Sequence, residues 1–164
     1  MPFLLAEILN FQGSIHRIGV GSFSKKEEAD KENSIHGLNL MLVEDNELNA
    51  EIAEILLEDE GAIITMVTDG QQAVELFNNN PEGTFDAILM DIMMPVMDGL
   101  TATKAIRALN RPDAGTIPII AMTANAFAED VQRCLDAGMN AHLAKPLDIE
   151  KVKKTICEHI IGLF

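Results

Sequence analysis

The stretch FDAILMDIMMPVMDG, residues 85–99, decides the fold. Its first six residues, Phe85 to Met90, are apolar apart from Asp86 and have the length of a strand. A strand that is apolar on both faces must be covered on both sides, which points to a parallel sheet between layers of helix. The apolar run stops at Asp91, a carboxylate at the strand's carboxyl end. The chain then turns towards Pro95, and Asp98-Gly99 reads as a turn whose Asp opens the next helix.

Working outward, the same alternation recurs. Apolar runs of strand length occur at 38–43, 62–67, 85–90, 117–122 and 141–144, with helical patterns between them. In the first helix Leu48, Ile52, Ile55 and Leu56 fall on one stripe, and in the last Ile149, Val152, Ile156 and Ile160 do the same. The intermediate helices are expected over about 71–79, 99–110 and 127–137. Five strand–helix repeats with short connections give an α/β fold: a flavodoxin-like, doubly wound, five-stranded parallel sheet in the order 2-1-3-4-5, with helices on both faces. Ligands of such sheets bind at the carboxyl ends of the strands.

The repeats occupy residues 38–162 as one domain. Ahead of them, residues 22–37 are polar and charged, with Phe23 and Ile35 the only large apolar side chains, and read as a linker. Residues 1–21 form an N-terminal segment without a functional reading. There Phe3, Leu4, Leu5, Ile8 and Leu9 could line a helix face, and Ser14 to Val20 could form a short strand.

With 26 acidic against 12 basic residues the net charge is -14, which repels phosphate backbones and anionic lipid. Neither direct nucleic-acid binding nor membrane contact is expected. Cys134 and Cys157 form no CxxC and have no neighbouring His at metal spacing, so a reduced setting and a packing role fit both. No apolar run approaches the roughly 20 residues of a membrane span. The apolar opening Met1–Leu5 lacks the basic flank of a signal peptide, so a cytoplasmic location is expected.

Chemistry concentrates where the strands end. The first strand ends in Glu44-Asp45, the third in Asp91, the fourth in Thr123 and the fifth in Lys145-Pro146. A lone loop carboxylate is usually a helix cap, and Asp45-Asn46 before a helix is an ordinary capping signal. Five such side chains from four repeats on one rim are a different matter. Two unit charges about 4 Å apart repel by about 4 kcal/mol at an effective dielectric near 20, so gathered carboxylates need a cation. Lys145 supplies one charge. Mg2+ suits the remainder, because it accepts a few carboxylates in octahedral geometry and keeps waters that a phosphate can displace. Zinc would want His or Cys ligands, which are absent from this rim.

Such a set is equipped for phosphoryl transfer. Asp91, at the end of the middle strand, is the best nucleophile. Glu44 and Asp45 are better placed as metal ligands with Asp91, and the backbone carbonyl of Met93 could add another. Thr123 can donate its hydroxyl to a phosphoryl oxygen, and Lys145 can neutralise one.

These motifs carry a resemblance. Val43-Glu44-Asp45-Asn46, the run Met90 to Gly99, Met122-Thr123-Ala124 and Lys145-Pro146 make residues 38 to about 161 resemble the receiver domain of bacterial response regulators. The resemblance implies a phosphorylated Asp91, a magnesium pair at Glu44 and Asp45, a switch hydroxyl at Thr123 and a phosphate-binding Lys145. It also implies a cis peptide between Lys145 and Pro146. The stretches 123–130 and 138–147 resemble receivers fused to hybrid sensor histidine kinases.

By the same resemblance, a phosphohistidine on a histidine kinase or histidine phosphotransfer domain would be the donor. It would dock near the first helix, where Leu48, Ile52 and Leu56 could serve both core and partner. Phosphorylation would shift the packing of helix 4, strand 5 and helix 5, a change that takes roughly 5 kcal/mol of differential interaction. A phosphorylation-dependent dimer stays open.

Three positions depart from the pattern or bear on lifetime. His142 stands where many receivers place a Tyr or Phe that swings inward, so it reads either as a pH-sensitive switch or as an exposed edge residue. Met93 would shield an acyl phosphate from water and slow self-dephosphorylation, whereas Asn125 could position a water and act the other way. Two other functions compete: a small magnesium-dependent phosphatase with Asp91 as transient nucleophile, and a degenerate receiver serving as an interaction module. The former usually places a second acid–base Asp soon after the nucleophile, and position 93 is Met. The intact five-residue set argues against the latter.

Overall fold

The computed structural model describes residues 33–161. Contacts within the chain divide it between Ser34 and Ile35, and the fold is that of the second part. The helix and strand expected within residues 1–21, and most of the expected linker, lie outside the described residues.

Five strands, β1 (Asn39–Val43), β2 (Ile63–Val67), β3 (Ala87–Asp91), β4 (Ile119–Thr123) and β5 (Ala141–Ala144), form one sheet in the order β2-β1-β3-β4-β5. Every pair is parallel. Five helices connect and follow them: α1 (Glu47–Asp59), α2 (Gly70–Asn79), α3 (Gly99–Arg107), α4 (Ala128–Ala137) and α5 (Ile149–Ile161), with a 3-10 turn at Pro112–Gly115 before β4.

Strand alternation sends side chains to two cores. Met41, Val43, Ile88, Met90, Ile119 and Ala121 pack with Phe77 of α2, Ile106 of α3 and Cys134 of α4. Leu40, Leu42, Leu89, Ile120 and Met122 pack on the other face with Leu57 of α1 and with Val152 and Ile156 of α5. Side chains cap four helix starts: Asn46, Asp69 and Asp98 accept from the backbone N–H of Asn49, Gln72 and Thr101, and Asp148 from those of Glu150 and Lys151. Two half-buried arginines tie the strand-start side together. Arg107 donates to the carbonyls of Gly138 and Ala114, and Arg111 pairs with Asp113 at 2.6 Å while lying 4.3 Å over the Phe77 ring.

Four expectations need correcting. Three of the four α1 stripe residues face outward: Leu48, Ile52 and Ile55 are 64%, 50% and 52% exposed, Leu56 is half-buried, and the buried face is Ala50, Ala53 and Leu57. Small residues let the helix lie close on the sheet, which outweighs burying larger ones. Only β1, β3 and β4 are covered on both faces; the edge strands β2 and β5 are not. Helix α3 ends at Arg107, since the chain must turn before Pro112. Ile35, placed by its polar neighbours in the linker, is fully buried in the α1/α5 core.

Candidate functional site

Strand ends bring the expected residues to one cleft of about 490 Å3, whose walls include Glu44, Asp45, Asp91, Met93, Thr123, Asn125 and Lys145. Asp91 and Thr123 are the last residues of β3 and β4, Glu44 follows β1 directly, and Lys145 follows β5. Parallel register sets Val43 beside Met90 and Asp91 beside Met122, so these ends stand level. Gly99 makes the cleft floor possible. Its N–H donates to the Ile92 carbonyl at 2.9 Å, and a Cβ there would stand 2.1 Å from the Asp91 carbonyl oxygen.

Glu44, Asp91 and Thr123 are buried, whereas Asp45 is exposed. Carboxylate oxygens of Glu44, Asp45 and Asp91 all lie within 4.8 Å of one another. The Lys145 ammonium bridges two of these residues, at 2.6 Å from Glu44 Oε2 and 3.2 Å from Asp91 Oδ1. Glu44 Oε1 also accepts from the Asn46 N–H at 3.1 Å. Burial, and then the field of Glu44, push the Asp91 carboxyl up to about 6 against the opposing pull of Lys145. For Lys145, burial works against the charged form, but the hydrogen bond to Glu44 and the fields of both carboxylates outweigh it, and its pKa lies above the ordinary value.

Oxygen ligands held about 2.1 Å from one magnesium ion stand about 3–4 Å apart. The three carboxylates fit a hard divalent cation by donor type, and with their oxygens inside 4.8 Å of one another small side-chain shifts bring them onto one ion. Thr123 is engaged within its own loop: its hydroxyl donates to the Asn125 carbonyl at 2.7 Å and accepts from the Asn125 N–H at 3.1 Å. Met93 is 82% exposed on the cleft wall. His142 is exposed on β5 opposite Ala121 and does not line the cleft. The Lys145–Pro146 peptide is cis. Asp130 and Arg133 also form part of the wall, from α4; in the sequence an i,i+3 pair of opposite charge on a surface helix carries no functional signal of its own.

The model of the family described as "Response regulator receiver domain" matches residues 40–157. The chain belongs to that family. As a receiver of two-component signalling it has hybrid kinases among its relatives: it is 37% identical to "Hybrid signal transduction histidine kinase I" of Dictyostelium discoideum, over 74% of this chain and 7% of that protein. The receiver thus spans a small fraction of such a relative's length. Its fold matches the receiver domain of a sensor histidine kinase from Pseudomonas aeruginosa, with a TM-score of 0.68 and 42% identity, covering 76% of this chain and 98% of that one. That structure has a magnesium ion coordinated in the active site cleft. A second match is the receiver of the Saccharomyces cerevisiae response regulator Ssk1, crystallised with the histidine phosphotransfer protein Ypd1, with a TM-score of 0.67 and 27% identity over 79% of this chain and 92% of that chain. No described helix is long and apolar enough to cross a membrane.

Proposed function

We propose that Asp91 is the phosphoacceptor of a phosphorelay. One observation carries the reading: a buried aspartate at the end of the central strand, with two further carboxylates within 4.8 Å and an ammonium on its oxygen. An Asp91 carboxylate oxygen attacks the phosphorus of a phosphohistidine in line. The P–N bond breaks, and the imidazole nitrogen leaves with the electron pair and takes up a proton. Glu44, Asp45, Asp91 and the Met93 carbonyl would hold Mg2+, which neutralises charge on the transferring group. Lys145 releases Glu44 to contact a phosphoryl oxygen, and Thr123 turns its hydroxyl from Asn125 to another. That exchange pulls the β4–α4 loop inward and biases the face made by α4, β5 and α5.

The donor would be a histidine kinase or a histidine phosphotransfer domain. Its support is the outward stripe Leu48–Ile52–Ile55, whose Ile52 lines a pocket together with Glu44 and Lys145, and the phosphotransfer protein bound to the similar yeast receiver. The test is intact mass after incubation with acetyl phosphate and Mg2+. The parent chain should gain one phosphoryl group and Asp91→Ala none; equal labelling of both would refute the reading.

A further inference from the structure

The following rests on Asp91 being the phosphoacceptor. Around its cleft stand five acidic side chains, Glu44, Asp45, Asp91, Asp98 and Asp130, and two basic ones, Lys145 and Arg133. A donor must carry a further anionic phosphoryl group into that field. Lys145 is committed to Glu44 and Asp91 at 2.6 and 3.2 Å. Arg133 is held far more loosely: its Nη1 is 3.6 Å from Asp130 Oδ1, beyond a proper hydrogen bond, and its side chain is 68% exposed. A guanidinium offers five N–H donors in a planar fork that matches phosphate oxygens, and it stays charged at any ordinary pH. The helix that carries it can give, because Phe127, at the N-cap of α4, offers no side-chain cap, unlike the residues that cap α1, α2, α3 and α5.

We infer that Arg133 is a phosphate-recognition residue of this cleft, its guanidinium leaving Asp130 for the phosphoryl oxygens of the incoming donor and then of the acyl phosphate on Asp91. Asp130 is the latch that holds it at the rim while the cleft is at rest. Because α4 belongs to the face that signals, the same contact couples phosphoryl capture to the position of that helix.

The experiment uses the full chain with Mg2+ and a titration of acetyl phosphate, the initial rate read by intact mass. Arg133→Gln should raise the half-saturating donor concentration about fivefold or more while leaving the plateau rate within about twofold, the pattern of lost donor binding. Arg133→Lys should recover part of the loss. Asp130→Asn frees the guanidinium and should move half-saturation the opposite way. Added salt should weaken capture by the parent more than by Arg133→Gln. Lys104→Gln, an exposed charge on α3 outside the cleft, controls for net charge. If Arg133→Gln and Lys104→Gln behave alike, or if Asp130→Asn weakens capture as Arg133→Gln does, the inference is wrong. Labelling of the parent at Asp91 with Arg133→Gln unaffected sinks this inference alone, whereas equal labelling of Asp91→Ala sinks the phosphoacceptor reading with it.

Discussion

At Gly99 an added methyl would stand 2.1 Å from the Asp91 carbonyl oxygen and 3.0 Å from the Ile92 Cα, both backbone atoms that cannot swing aside. Gly99→Ala should therefore push α3 off the end of β3 at a cost of about 2–4 kcal/mol, with a matching loss of Asp91 labelling; urea denaturation measures the first and intact mass the second. A variant as stable as the parent would show that the loop has slack. The convergence of the candidate site residues is legible because chemistry at a strand end is sparse: Glu44, Asp45, Asp91, Thr123 and Lys145 follow apolar runs, and the fold carries them to one cleft. What they touch was less legible. That Thr123 spends its hydroxyl on Asn125 depends on a loop conformation with no sequence signature. Neither has the left-handed backbone of Val96 (φ 67°), a conformation that β-branched residues adopt only under constraint.

Among the elements, the strands are legible in the sequence and the packing face of α1 is not. In β1, β3 and β4 uninterrupted apolar runs leave one arrangement, burial on both faces. In α1 the large side chains Leu48, Ile52 and Ile55 lie a turn apart, and so do Ala50, Ala53 and Leu57; size favours the first face and close packing the second. The structure buries the second. The two faces should answer differently to mutation. Leu57→Ala removes a fully buried side chain and should cost about 2–5 kcal/mol. Ile52→Ser, on the half-exposed face, should change stability by less than about 0.5 kcal/mol, yet slow phosphoryl transfer from a phosphohistidine protein about tenfold if it belongs to a docking centre. Chemical denaturation and a transfer assay against acetyl phosphate separate these effects. An Ile52→Ser variant that loses labelling from acetyl phosphate as severely as from the protein donor would place the damage in the site rather than on the docking surface.

For the whole molecule, the cleft concentrates a repulsion that the fold must tolerate, and pH reads it out. The folded Asp91 carboxyl is raised from 3.8 to about 6, first by burial and then by Glu44. The folded state therefore binds its proton more tightly than the unfolded chain does, and stability from this group is complete below about pH 4 and lost as pH rises through about 6. Its size is at most about 3 kcal/mol, at about 1.4 kcal/mol per tenfold change in proton affinity, and smaller where water in the open cleft screens the charge. Asp113 acts in a separate window: the Arg111 guanidinium holds its carboxyl below the usual range, so that contribution is present at neutral pH and lost only as pH falls beneath the ordinary carboxylate value. With a net charge of -14, general repulsion also grows with pH, so the decline alone does not identify Asp91. Two comparisons do. Asp91→Asn should raise the Tm of the metal-free protein at pH 7 by several degrees and scarcely at pH 4, because it removes the charge that the cleft resists and leaves Lys145 its pair with Glu44. Mg2+ should raise the Tm of the parent in proportion to the logarithm of its concentration once the site is filled, and do less for Asp91→Asn, which lacks one of the carboxylates proposed to hold it. Thermal melts across pH 4 to 8, with Mg2+ and with a chelator, decide it: an Asp91→Asn variant less stable than the parent at pH 7 without metal would mean that Asp91 holds the folded cleft together rather than straining it.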